Sequence, residues 1–310
     1  MHTSKITRSI TDEFVNLTGK PLLKRLPDKL SLAILAMAMV PPVRWFMKFI
    51  GPKSDLFCII LKGPSWLAMN SSYFVLGKGK RSTWITDTWP NRDKRMGLFA
   101  KVMGLNPVFV TYVQSQERLS KMYPDRDWIY IAEALPSDIY PAKPYQEREW
   151  DVITFGRKYM VHHVALKDGN ADGRIKYLFR DDGTLMGETH EDLLNFLANT
   201  RISVCAPRNP GDDSSGGVQA MTMRYLQSMA CKCLVIGRTP PDMIDLFGYN
   251  PVIEADLNDA AGQIHQILDN WDDYVPLIEK NYETLMNQHQ WKHRVVQIST
   301  ILREKYGFDI

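Results

Sequence analysis

Residues 221–254, MTMRYLQSMACKCLVIGRTPPDMIDLFGYNPVIE, constrain the fold of this chain more than any other stretch. Met223, Leu226, Met229 and Ala230 recur at helical spacing. The compact apolar run Cys233–Ile236 follows them, then a Gly-Arg-x-Pro-Pro turn. An amphipathic helix leading into a short buried strand is half of a βαβ unit, so the sequence calls for a parallel sheet. Immediately upstream, Asp212-Asp213-Ser214-Ser215-Gly216-Gly217 is a run of small residues whose backbone N–H groups can face an anion.

The rest of the chain repeats this alternation. Leu56–Leu61, Tyr73–Leu76, Thr83–Thr86, Pro107–Tyr112 and Trp128–Ile131 read as strands, with helices over Asp93–Met103 and Gln114–Met122. Three prolines punctuate Leu135–Gln146, which reads as a linker. Beyond it come strands at Asp151–Phe155, Ile175–Phe179, Arg201–Ala206, Leu234–Ile236 and Val252–Glu254. A helix over Glu191–Asn199 is capped by Thr189, and helices over Ala260–Asn270, Val275–His289 and Lys292–Tyr306 close the chain. Strands alternating with helices predict an α/β, doubly wound architecture in two domains, 1–145 and 146–310, and 310 residues suit that division.

Charge is unevenly placed along the chain. Residues 1–101 hold 17 Lys and Arg against six acids, a balance of +11. With +3 for the whole chain, the remainder carries −8. Such a positive segment suits an anionic partner, and a membrane surface is the expected one. Nucleic acid is not expected, because the aromatic residues there sit inside apolar strands and are not interleaved with lysines. The longest apolar run, Leu30–Val40, stops at Pro41-Pro42 after 11 residues, short of the roughly 20 that span a bilayer. No signal peptide is read at the start. Cys58, Cys205, Cys231 and Cys233 stand in apolar contexts without metal-ligand spacing, which predicts buried thiols and a cytoplasmic protein peripheral to the membrane.

One stretch also carries a resemblance. Arg224-Tyr-Leu-Gln227-Ser-Met229-Ala230 with Gly237, Pro241 and Phe247-Gly248 resembles the R-x-x-E-A-M-A-x-G … P … F-G signature of glycosyl transferases group 1, which have the GT-B fold. Asn281-Tyr282 and His289, Trp291 and Arg294 resemble that family's closing signature. The resemblance implies two Rossmann-like domains facing across a cleft, an acceptor-side domain first and a donor-binding domain second, with the last helices packing back toward the first. It implies sugar transfer from a nucleotide-diphosphate sugar to a saccharide or lipid-linked acceptor in surface polysaccharide synthesis, retaining and without a metal or other cofactor.

It also implies roles for individual residues. Arg224 would chelate the diphosphate and Gln227 the ribose, while Arg157 and Lys158 would neutralise the leaving group. From the residues themselves, Arg208 at the end of strand Arg201–Ala206 would face the cleft, and Ser214, Ser215, Gly216 and Gly217 offer hydroxyl and backbone donors near the Arg224 helix. Family members place glutamates eight apart where this chain has Gln219 and Gln227. An amide keeps a hydrogen-bonding oxygen and loses the charge. That departure leaves open a nucleotide-sugar-binding module without catalysis. Asp87, between Trp84 and Trp89, is the candidate base should the reaction invert. Asp125 and Asp127 read as a solvated loop.

Overall fold

The computed structural model describes residues 33, 36–37, 40–50, 55–60, 78–136, 140–180, 187, 189–207 and 218–309. The expected strand at Tyr73–Leu76 and most of Leu30–Val40 lie outside them. The described residues form two compact units, one built from 33–133 and 291–309 and the other from 134–207 and 219–290.

In the first unit, strands β1 (Leu56–Ile60), β2 (Arg81–Ile85), β3 (Val108–Val110) and β4 (Trp128–Tyr130) lie side by side in chain order, all parallel. Asp93–Met103 crosses from β2 to β3 and Val113–Met122 from β3 to β4. Their apolar faces meet the sheet in a core of Met96, Phe99, Leu105, Val108, Leu119 and Trp128. Gly104 ends the first of these helices at φ 65°, a left-handed turn that glycine adopts without strain. The closing helix, Trp291–Tyr306, belongs to this unit. Its Trp291 packs edge-on against fully buried Trp84 at 5.2 Å, and Arg294 donates to the Ala132 carbonyl at 3.0 Å.

The second unit is a five-stranded parallel sheet in the order β6-β5-β7-β8-β9, from β5 (Trp150–Ile153), β6 (Tyr177–Leu178), β7 (Thr200–Cys205), β8 (Leu234–Gly237) and β9 (Ile253–Glu254). Helices Met160–Gly169, His190–Ala198, Met223–Ala230, Ala260–Asp269 and Trp271–Gln288 cover it. Val152, Ile202, Val204, Leu234 and Ile236 meet Ile264 and Ile267 in its core. The expected turn after Gly237 is corrected by a short helix, Pro241–Phe247. Proline there occupies the first helical position, where its missing N–H has no partner to lose. The helix Trp271–Gln288 starts a turn before the predicted Val275.

Among the described residues no helix is long and apolar enough to cross a membrane. Cys205, Cys231 and Cys233 are buried and free, and burial pushes their thiols up, away from the reactive thiolate.

Candidate functional site

The strand order of the second unit contains a reversal. The chain leaves β5 for β6 on one side, then returns to lay β7 on the other. At such a switch point, loops from the carboxyl ends of two adjacent strands diverge and leave a crevice between them. Here the β5 exit carries Thr154, Phe155, Gly156, Arg157 and Lys158 before the helix Met160–Gly169. The β7 exit carries Ala206 and Pro207.

Arg224 stands across this crevice. It enters from the second position of the helix Met223–Ala230, and its guanidinium donates to carbonyls of both loops. The acceptors are Phe155 O at 3.4 Å, Arg157 O, and Ala206 O at 3.1 Å. These bonds use three of the five guanidinium donors and leave the Nε–H and one Nη2–H. Gly156 makes the approach possible. At φ 66° it turns the loop beneath the side chain, and a Cβ on it would come within 3.3 Å of Arg224 Cδ. The residue expected from sequence to chelate a diphosphate is, in the structure, a brace between two strand exits.

Arg157 is exposed and Lys158 half-buried, with the Lys158 ammonium 5.7 Å from the Phe179 ring centre. Phe179 packs against Tyr177 and His163, and Tyr177 donates to Thr154 Oγ1 at 2.9 Å, which ties β6 to the β5 exit. Three cationic residues and the N-terminus of an α-helix thus share the carboxyl edge of β5 and β7, an arrangement suited to an anion.

Gln227 lies one turn beyond Arg224 and is only 7% exposed. Gln219 is half-buried in the extended segment that enters the same helix. That segment is pinned by a residue the sequence reading passed over: Met221 N–H reaches both carboxylate oxygens of Asp242 at 3.3 Å. Burial pushes the Asp242 carboxyl up to about 6, against the pull of backbone N–H groups from Met221, Asp242 and Met243. The signal for it was an acid just after the Pro-Pro pair, at the start of the unrecognised helix. Arg208, Ser214, Ser215, Gly216 and Gly217 lie outside the described residues.

His162 and His163 follow on the helix Met160–Gly169. His163 pairs with the Tyr177 hydroxyl at 2.7 Å. His162 is fully buried with neither ring nitrogen hydrogen-bonded, and burial, then His163, lowers it to about 4. Among the described residues no group of three or more His, Cys, Asp or Glu could hold a metal ion.

Asp87 belongs to the first unit. It sits just past β2 at φ 55°, in a left-handed conformation uncommon for a residue with a side chain. Tyr112 donates to its carboxylate at 3.5 Å, and Trp89 packs on Tyr112 at 4.8 Å. Asp125 and Asp127 are exposed, as read. Asp125 pairs with Arg126, and Tyr306 donates to Asp127 at 2.7 Å.

Residues 179–300 match a family model described as glycosyl transferase-like. No curated protein sequence matches the chain. Among solved structures, a glycosyltransferase from Rickettsia africae is 12% identical, aligns over 97% of this chain and 94% of its own, and has a TM-score of 0.58. TarM is 15% identical over 84% of this chain, with a TM-score of 0.57, and the match spans 57% of its length. HepE from Anabaena, solved with UDP and glucose, is 11% identical over 79% of this chain and 77% of its own, with a TM-score of 0.54.

Proposed function

For a chain that carries a glycosyl transferase-like domain on the GT-B fold, we propose sugar transfer from a nucleoside-diphosphate sugar to a saccharide or lipid-linked acceptor. The observation that supports this reading best is the cationic switch point, where Arg157, Lys158 and Arg224 converge on the carboxyl edge of β5 and β7. Breaking the bond to a diphosphate leaves negative charge on the leaving group, and fixed positive charge stabilises it. Arg224, already held by three carbonyls, would meet the diphosphate with its remaining N–H groups without reorganising. Gln227 would bond the ribose and Gln219 the sugar. Cationic side chains would then do the neutralising a metal does elsewhere.

The reaction would retain configuration and serve surface polysaccharide synthesis, with the enzyme on the cytoplasmic side of an anionic membrane. If transfer inverts, Asp87 is the base, with Tyr112 orienting its carboxylate. A second reading is a nucleotide-sugar-binding module without turnover. It is favoured by the amide pair Gln219 and Gln227 and by the bracing of Arg224.

Calorimetric titration of UDP and GDP into the wild type and Arg157→Ala tests the donor site. Loss of one charge-assisted contact, about 1.5–3 kcal/mol, should raise Kd about tenfold or more. Equal affinities, or no binding to either nucleotide, would remove the reading. Release of the nucleotide from its sugar conjugate in the presence of acceptor then separates transfer from binding alone.

A further inference from the structure

The helix Pro41–Ile50 of the first unit has two apolar faces, and only one of them is used. Met47 is buried and Val43 packs beside it, on the core of Met96, Phe99 and Leu105. Trp45, Phe46 and Phe49 are instead 65%, 60% and 53% exposed, and Met37 and Val40, just before the helix, are 46% and 48% exposed. Trp45 and Phe49 stack edge-on at 4.7 Å, so the aromatics form one ridge. The Lys78 ammonium sits 3.8 Å over the Phe49 ring. Single exposed apolar residues need no explanation, but a contiguous aromatic ridge does.

We infer that this ridge is the element that inserts into an anionic lipid surface. Phe46, Phe49 and Trp45 would sit at headgroup depth, with the Lys78 ammonium over Phe49 against lipid phosphates. Charge selects this occupant. The first 101 residues, which carry the ridge, hold 17 basic residues against six acids. A second copy would bring two such positively charged segments together, whereas an anionic bilayer complements them. Ring systems with a polar or cationic edge favour the boundary between acyl chains and headgroups, and an in-plane helix of this kind needs no spanning length. The inference rests on the membrane-face part of the reading above and is independent of the donor site.

The test is cosedimentation of the full chain with vesicles of phosphatidylglycerol and phosphatidylcholine, and with phosphatidylcholine alone. The variants are Trp45→Ala/Phe46→Ala/Phe49→Ala and Lys78→Glu. Wild type should partition to the anionic vesicles and weaken in 0.5 M salt, within the screening expected of surface charge. The triple variant should lose at least tenfold in partitioning while melting as wild type does, because these side chains are exposed. Lys78→Glu should lose a smaller factor that salt abolishes.

Equal binding by wild type and the triple variant overturns the proposal, as does equal binding to neutral vesicles or no binding to either. A wild-type dimer in sedimentation velocity that the triple variant dissociates, without vesicle binding, would assign the ridge to a second copy instead. UDP titration of the same samples keeps the donor reading separate. Absent nucleotide binding would sink that reading and leave the vesicle result standing.

Discussion

Arg224 shows how much one side chain can be asked to do. Its three carbonyl contacts hold the β5 and β7 exits together, so Arg224→Ala should lower stability as well as donor affinity. Bonds from a charged donor contribute about 1.5–3 kcal/mol each. For a half-exposed group shared among three acceptors, a net loss of about 2 kcal/mol in urea unfolding is expected. An unchanged midpoint would mean the carbonyls find water at no cost. Two desolvated titrating groups of the same unit, His162 fully and Asp242 partly buried, act against one another. Asp242, raised to about 6 by burial, keeps a proton the unfolded chain releases above the ordinary 3.8, so its contribution is present at low pH and is lost as pH rises to 6. His162, lowered to about 4, refuses a proton the unfolded chain takes up, so stability is lost as pH falls from 6.5 toward 4. The opposed slopes flatten the wild-type profile. Asp242→Asn should therefore gain on wild type by about 1–2 kcal/mol between pH 4 and 6, after discount for partial exposure. His162→Leu should gain on it by about 2–3 kcal/mol as pH falls from 6.5 to 4, because leucine takes up no proton in either state. Denaturant unfolding of each variant at pH 4, 5, 6 and 7 reads both, and parallel profiles for variant and wild type would refute the assignment.

Elements differ in how plainly their residues announce them. The helix His190–Ala198 was legible because Thr189 reads as its N-cap, and the structure adds Asp192 as the reciprocal partner: Thr189 Oγ1 accepts from Asp192 N–H at 3.1 Å, and the Asp192 carboxylate accepts from Thr189 N–H at 2.8 Å. Thr189→Ala should cost about 1 kcal/mol, read as a shift of the urea midpoint with an unchanged slope. No shift would mean the Asp192 half of the cap suffices. Strand β8 was legible for a different reason, since Cys233–Ile236 is continuously apolar and sits between two neighbouring strands. The helix Pro241–Phe247 was not, because a Pro-Pro pair signals a break more strongly than a helix start, and seven residues show too little periodicity. The candidate site divides along the same line. Arg157, Gln219, Arg224 and Gln227 follow a signature that can be read along the chain. Asp242 enters only through its distance to Met221, and the Arg224 brace only through the β5–β7 reversal. Tertiary proximity of that kind leaves no local pattern.

Across the whole molecule, the chain path sets which piece can stand alone. Residues 134–290 hold a complete five-stranded sheet with its own core, whereas residues 33–133 are completed by a helix from the far end of the sequence. Trp291, Val295, Ile298 and Leu302 of that helix are all at most 2% exposed, and Trp291 covers the fully buried Trp84. Arg294 is buried as well, and desolvation brings its guanidinium down to about 10 while it serves the Ala132 carbonyl. A chain ending at Gln290 should therefore leave the first unit with an exposed tryptophan and an unpartnered carbonyl, and leave the second intact. Stripping four large buried side chains removes on the order of 6–12 kcal/mol of burial, as much as a domain's whole stability. Urea unfolding of the truncated chain should show one transition near the wild-type midpoint for residues 134–290, and near-UV signal from Trp84 lost already without denaturant. The isolated fragment 134–290 should fold cooperatively and bind UDP as the full chain does. A single unchanged transition for the truncated chain would show that the closing helix adds nothing to the first unit. A fragment 134–290 that fails to fold would show that the second unit depends on the first.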